Sequence, residues 1–150
     1  MQVKEISLTQ FRNYMVQNFQ FTKRIIGICG QNGTGKTNLL DAVYYICFTK
    51  SYFLKPDTQS VYSEMRGFRL EAGISKNNED NNLVCILREN NRKEFLINSE
   101  AYKKFSDHIG KFPCVMIAPD DVELITSGSE TRRTFLDTIL SQLYPATFSS

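Results

Sequence analysis

The sharpest chemical signal in the chain is a run of eight residues. Gly30-Gln31-Asn32-Gly33-Thr34-Gly35-Lys36-Thr37 follows the pattern of a glycine, four free positions, then Gly-Lys-Thr. Its chemistry is anion binding. Such a loop turns successive backbone N–H groups inward around a phosphate. Glycines permit the required backbone angles and leave room for phosphate oxygens. A helix opening at the loop's end adds its positive terminus. Lys36 is placed to reach the β- and γ-phosphates of a nucleotide, and the Thr37 hydroxyl to hold Mg²⁺. Hydrolysis asks for more, namely an acid at a strand end and a group that orients water. The nearest acids are Asp120 and Asp121 in VMIAPDD. Pro119 separates them from the apolar run, so they read as a loop or helix start. No Asn-Lys-x-Asp occurs for guanine recognition, which disfavours a GTPase. Two alternatives stay open. One is a stand-alone small P-loop NTPase or kinase using Asp120 or Asp121 for Mg²⁺. The other is a module that binds nucleotide without turning it over.

The motif needs a strand before it and a helix after it. Ile25–Cys29 is a short apolar run that suits a strand buried on both faces. From Lys36 to about Phe48, the spacing of Leu39, Leu40, Val43, Tyr44, Ile46 and Cys47 predicts an amphipathic helix. Upstream, residues 3–11 and Tyr14 to Phe21 read as two strands joined by a turn at Arg12-Asn13. Lys50 to Arg66 has no clear period, and Pro56 breaks any helix there. Strands resume at Phe68–Ile74 and Leu83–Leu87, with the polar stretch from Lys76 to Asn82 as hairpin tip. Glu94–Ile97 is a further strand, turned by Asn98-Ser99. Ala101–Ile109 reads as a helix ended by Gly110, and Val115–Ile117 as a short buried strand. Phe135, Leu136, Ile139, Leu140 and Leu143 fall on one face of a last helix, with Ser127 and Glu130 as its capping box and Pro145 as its terminator.

The 150 residues are 41% hydrophobic and 23% charged, an ordinary globular balance that excludes disorder, collagen and coiled coil. No apolar run approaches the roughly 20 residues of a membrane helix. The start MQVKEISLTQ lacks the apolar core of a signal peptide, so no membrane and a cytoplasmic location are expected. Net charge is +2, unevenly spread: residues 1–75 hold nine Lys/Arg against five Asp/Glu, and residues 76–150 nine against eleven. Phosphate attraction therefore belongs to the first half. Cys29, Cys47, Cys85 and Cys114 are widely spaced in apolar surroundings and read as buried reduced thiols rather than metal ligands. The lone His108 cannot build a histidine metal site and is not read as catalytic. Lys103-Lys104 and Arg92-Lys93 read as solvated faces. The closing YPATFSS does not read as a domain terminus, so the expectation is the front part of a longer protein.

Three stretches together resemble the RecF family of bacterial recombination-repair proteins, whose ATPase head is of the ABC type and akin to SMC heads. They are LTQFRNY from Leu8, GQNGTGKTNLLDAVYYI from Gly30, and VMIAPDDVELITSGSETRRTFLD from Val115. The resemblance implies an α/β P-loop NTPase fold of ABC-ATPase-head type, with a β-rich lobe over residues 1–118 and only the start of a helical lobe over 119–150. It implies ATP and Mg²⁺ as ligands, held by Gly30 to Thr37, and places Arg12 and Asn13 where related heads contact the phosphates. A solvated turn is the other reading of Arg12 and Asn13. Partners implied are DNA, single-stranded or gapped duplex, a second copy in an ATP-dependent homodimer, and RecO and RecR. The implied function is an ATP-dependent DNA clamp of repair and replication restart, tied to the SOS response and helping to load recombinase, with weak DNA-stimulated ATPase. The signature sequence and Walker B acids lie beyond residue 150 in that family, so the chain alone is expected to be inactive. SGSETRR is not the signature despite its Ser-Gly. Where the family often has Ser-His-Arg, this chain has Ser51-Tyr52-Phe53, and no contact is carried to that spot. Arg132 and Arg133 read as pairing with Glu130 and Asp137 on a helix surface in preference to contacting DNA.

Overall fold

The computed structural model describes residues 1–54, 56–122, 126 and 128–144. Among them, six strands form one antiparallel sheet in the order β2-β1-β3-β4-β5-β6. The strands are β1 Gln2–Phe11, β2 Tyr14–Gln20, β3 Phe68–Lys76, β4 Glu79–Leu87, β5 Lys93–Ile97 and β6 Glu100–Ala101. Helix α1, Lys36–Phe48, packs on one face, and α2 spans Ser129–Leu143. Among the described residues, strand β2 lies at one edge of the sheet and pairs only with β1.

Period-two alternation sets the register. The pairs Leu8↔Leu70, Ile6↔Ala72, Leu70↔Cys85 and Cys85↔Phe95 put apolar residues opposite one another on a single face. A slip of one residue would turn that whole set to water. Ile6, Leu8, Leu70, Cys85 and Phe95 are buried there against Leu39, Ala42, Tyr45 and Ile46 of α1. Each large apolar side chain so buried stabilises the fold by about 1.5–3 kcal/mol. Short turns fix the hairpins. Asn77 and Asn78 both take positive φ (53° and 64°), as do Asn98 and Ser99 (48° and 71°). That is the backbone twist two-residue hairpin turns require. The β3–β4 hairpin therefore turns on two residues, and β4 begins at Glu79, inside the predicted polar tip.

Four expectations differ from the structure. Ile25–Cys29 is not a strand; Ile25 is 88% exposed and Cys29 is exposed too. Val115–Ile117 is also irregular, with Val115 and Ile117 facing solvent and Met116 half-buried. The reason is the same for both: among the described residues no strand lies beside either segment, so their backbone groups have no ladder to join. Ala101–Ile109 is not a helix. The turn at Asn98-Ser99 feeds Ala101 into β6, Tyr102 N–H donates to the Phe95 carbonyl (2.9 Å), and only one tight turn forms, at Phe105–His108. In α1, Leu40 faces solvent while Asp41, Ala42 and Tyr45 are buried, so the inward face is rotated from the predicted one. Helix α2 starts after Gly128 with no side-chain cap and ends at Leu143; Ser127 and Pro145 lie outside the described residues. Its apolar residues are largely exposed, Leu136 and Leu143 by more than half.

Candidate functional site

Gly30 to Thr37 forms a loop that runs directly into α1 at Lys36. Gly33 and Gly35 take φ of +83° and +100°, in the left-handed region where a side chain is strained. Gly35 is constrained twice: a Cβ there would sit 2.6 Å from Asn13 Nδ2 and 2.8 Å from the Tyr14 hydroxyl. No side chain caps the N-terminus of α1, so its first N–H groups face the loop with their positive end. Within the loop the Thr34 hydroxyl donates to the Gln31 carbonyl (2.9 Å). The Lys36 ammonium donates to the carbonyls of Gly30 (2.8 Å) and Gln31 (2.6 Å), folding the cation over the loop. Gln31, Asn32, Gly33, Thr34 and Thr37 are exposed.

The predicted turn at Arg12-Asn13 lies against this loop. Asn38 of α1 donates to Asn13 Oδ1 (2.8 Å), and the Tyr14 hydroxyl donates to the Gly35 carbonyl (3.1 Å). Arg12 takes φ of 56° and forms a part-buried ion pair with Asp41 of α1. Asp41 also accepts from the Ser51 hydroxyl (3.0 Å) and the Tyr52 N–H (2.8 Å). Ser51 Oγ in turn accepts from Arg12 (3.0 Å), Phe53 N–H (3.0 Å) and Leu54 N–H (2.9 Å). Among the described residues, Arg12 Nε is buried without a partner.

The acids after Pro119 sit in a single tight turn, Pro119–Val122. The Tyr52 hydroxyl donates to Asp121 Oδ1 and the Ala118 N–H to its Oδ2, both within hydrogen-bond reach. The cavity that Asp121 lines includes no residue of the loop 30–37. Among the described residues, no three His, Cys, Asp or Glu converge as a metal cluster. No described helix is long and apolar enough to cross a membrane.

Residues 5–143 match the family described as AAA domain. The chain belongs to the AAA domain family. Among curated relatives, it is 41% identical over 143 residues to the DNA replication and repair protein RecF of Flavobacterium johnsoniae, covering 95% of this chain and 40% of that protein. The chain spans 37–40% of the length of such curated relatives. Among solved structures, it superposes with a TM-score of 0.87 and 27% identity on the recombination mediator protein RecF with ATP, over 93% of this chain and 38% of that one. An SMC ATPase, from work on ATP-driven dimerization and DNA-stimulated activation, matches at TM-score 0.72 and 14% identity, over 91% of this chain and 98% of that one. That last likeness shows the fold alone. The fold is thus the P-loop, ABC-ATPase-head type, as the resemblance implied.

Two site features of this AAA domain chain were not assigned from sequence. Asp41 and Ser51 form the buried anchor of Arg12, and Tyr14 and Asn38 brace the loop. The one sequence signal for Asp41 was an acid inside the otherwise apolar run from Leu39 to Phe48. Two further readings are corrected. Lys93 is not a solvated face: it pairs with Asp57 (2.8 Å), donates to the Thr49 carbonyl (2.8 Å) and lies over the Tyr45 ring. Cys29 is exposed rather than buried. Arg132 and Arg133 are exposed on α2.

Proposed function

We propose that the chain supplies the phosphate-binding half of an ATP site in a DNA replication and repair protein like RecF. One observation carries this reading. Left-handed glycines, a lysine ammonium and an uncapped helix terminus occupy one continuous loop. The residues fit a nucleotide. Gly30 to Lys36 would hold its phosphates through backbone N–H groups, and Lys36 would exchange the Gly30 and Gln31 carbonyls for phosphate oxygens. Thr37, exposed at the helix start, would offer its hydroxyl to Mg²⁺. When bound, Mg²⁺ supplies charge neutralisation at the phosphates. Asn13, braced on Asn38, and Arg12, seated on Asp41, lie on the turn beside the loop, and we read both as phosphate-side contacts. Residues 1–118 are the β-rich lobe in this reading, and 119–150 open the helical lobe.

The whole protein, in this proposal, is a clamp: ATP joins two copies on single-stranded or gapped DNA, weak DNA-stimulated hydrolysis releases them, and RecO and RecR cooperate in loading recombinase in the cytoplasm. The alternative of a stand-alone kinase needs Asp120 or Asp121 at the loop, and Asp121 is held by Tyr52 and Ala118 instead. The test is fluorescent-ATP binding by wild type and Lys36→Ala, with turnover of the whole gene product measured with and without gapped DNA. Unchanged ATP affinity in the variant overturns the site. Absence of both turnover and ATP-dependent dimerisation overturns the clamp and leaves a nucleotide-binding module.

A further inference from the structure

The turn beside loop 30–37 is held in a conformation that its residues disfavour. Arg12 and Asn13 join β1 to β2 between the paired Phe11 and Tyr14. Arg12, the first of the two, takes φ of 56°. Glycine is the usual residue at a first turn position with positive φ. Gln10 is left-handed as well, at φ 54°. A non-glycine backbone stays in that region only where its surroundings impose it. Here the surroundings come from the stretch that has no period in the sequence. Asp57–Ser60 is a single tight turn. The Arg12 N–H donates to the Ser60 carbonyl (2.8 Å), the Tyr62 N–H donates to the Gln10 carbonyl (2.8 Å), and Phe11 pairs with Val61 between them. Ser60 is fully buried. The turn is itself anchored at Asp57. Its Oδ2 pairs with the Lys93 ammonium of β5 (2.8 Å), and its Oδ1 accepts from the Tyr45 hydroxyl of α1. Lys93 also donates to the Thr49 carbonyl at the end of α1 (2.8 Å) and lies over the Tyr45 and Phe105 rings. The lysine side chain is only 17% exposed, so salt screens the pair weakly.

We propose that Lys93 is a positioning residue for the nucleotide site, acting on Arg12 through Asp57 and the turn 57–60. The ion pair fixes the turn. The Ser60 carbonyl then fixes the Arg12 N–H, and the guanidinium is held on Asp41 beside loop 30–37. Lys93 acts at a distance: its hydrogen bonds go to Asp57 and Thr49, on elements other than the loop. Without the ion pair the turn is free to shift, Arg12 relaxes toward an ordinary negative φ, and its side chain leaves the line of the loop. The inference rests on the reading of Arg12 as a phosphate-side contact and adds the device that aims it.

The test measures fluorescent-ATP affinity and urea midpoints for the wild-type chain, Lys93→Met and Lys93→Arg. Lys93→Met should weaken ATP binding about fivefold, an ordinary coupling for residues in one network. Lys93→Arg keeps the charge on Asp57 and should bind within about twofold of wild type. Lys93→Met is then made in the Arg12→Met/Asp41→Ala background, where guanidinium and carboxylate are removed together. There it should change affinity by less than about twofold, because no guanidinium remains to be aimed. An equal loss in both backgrounds overturns the proposal, since Lys93 would then act on the fold at large. Lys93→Met binding as wild type also overturns it, as does Lys93→Arg binding no better than Lys93→Met. If Lys93→Met fails to fold by circular dichroism, Asp57→Asn decides on the same readouts, because its amide oxygen still accepts from Tyr45 while the ion pair is lost. Lys36→Ala separates this inference from the reading beneath it. Normal ATP binding by Lys36→Ala sinks the nucleotide site itself, whereas weak binding by Lys36→Ala beside normal binding by Lys93→Met sinks the positioning role alone.

Discussion

Acid should loosen this fold through one imidazole. His108 is fully buried, between the Ile46 carbonyl (2.7 Å from Nε2) and the Tyr102 hydroxyl (3.2 Å from Nδ1), and rests on the Phe95 ring. A carbonyl only accepts, so Nε2 carries the proton and Nδ1 accepts from tyrosine. Burial lowers its pKa to about 4; the bond to Ile46 opposes this, and Lys111 adds to it. The folded value lies below the unfolded value of about 6.5, so the stabilisation is complete above that pH and is lost as pH falls toward 4. The difference of about 2.5 units is worth roughly 3 kcal/mol in all, and about 2 kcal/mol of it goes between pH 7 and pH 5. His108 is the chain's single histidine, and that window lies above the ordinary carboxylate range. Urea midpoints at pH 7, 6 and 5 should fall steadily for wild type. His108→Gln should be less stable at pH 7 but flat across the window. A wild-type midpoint unchanged from pH 7 to pH 5, or an imidazole proton resonance titrating near its ordinary value, refutes the reasoning.

Three further outcomes are expected. Lys36→Ala should weaken ATP binding about tenfold or more, the loss of a charge-assisted contact worth about 1.5–3 kcal/mol, while its urea midpoint stays near wild type; a nucleotide titration checks the first and denaturation the second. Gly35→Ala forces a side chain into φ +100° and into Asn13 and Tyr14. It should cost about 1–3 kcal/mol and abolish nucleotide binding, read by the same two assays. Asp41→Ala leaves the part-buried Arg12 without its carboxylate and should cost about 3–5 kcal/mol in urea unfolding. Adding Arg12→Met should restore part of that loss, and a double variant no better than the single one would show that the charge is not the cause.

What could be read from residues alone was whatever local pattern decides. The turn from residues 30–37 into α1, and the alternation in β1 and β3, depend on neighbours in sequence, and these elements lie where expected. Hydrophobicity alone misled at Ile25–Cys29 and Val115–Ile117, because a strand exists only if another backbone pairs with it. The polar tip between β3 and β4 hid strand residues because Asn77-Asn78 alone makes the turn. The partners of Arg12 were illegible for a different reason. Asp41 and Ser51 lie 29 and 39 positions away, and only the packing of α1 on the sheet brings them to it. Lys93 was misjudged likewise, since Asp57 approaches it from an irregular segment with no period to follow.

The sheet's outer margin also shapes how this protein must be handled. Tyr14–Gln20 reads YMVQNFQ, a seven-residue border strand without a single charge or proline, and with Val16 71% exposed. Its outward N–H and C=O groups are a template for strand recruitment, and the lysines and prolines that natural borders use to repel one are missing. Crowded solutions of the chain should therefore grow by edge-to-edge addition at this margin, and a lysine at position 16 should keep the particles apart.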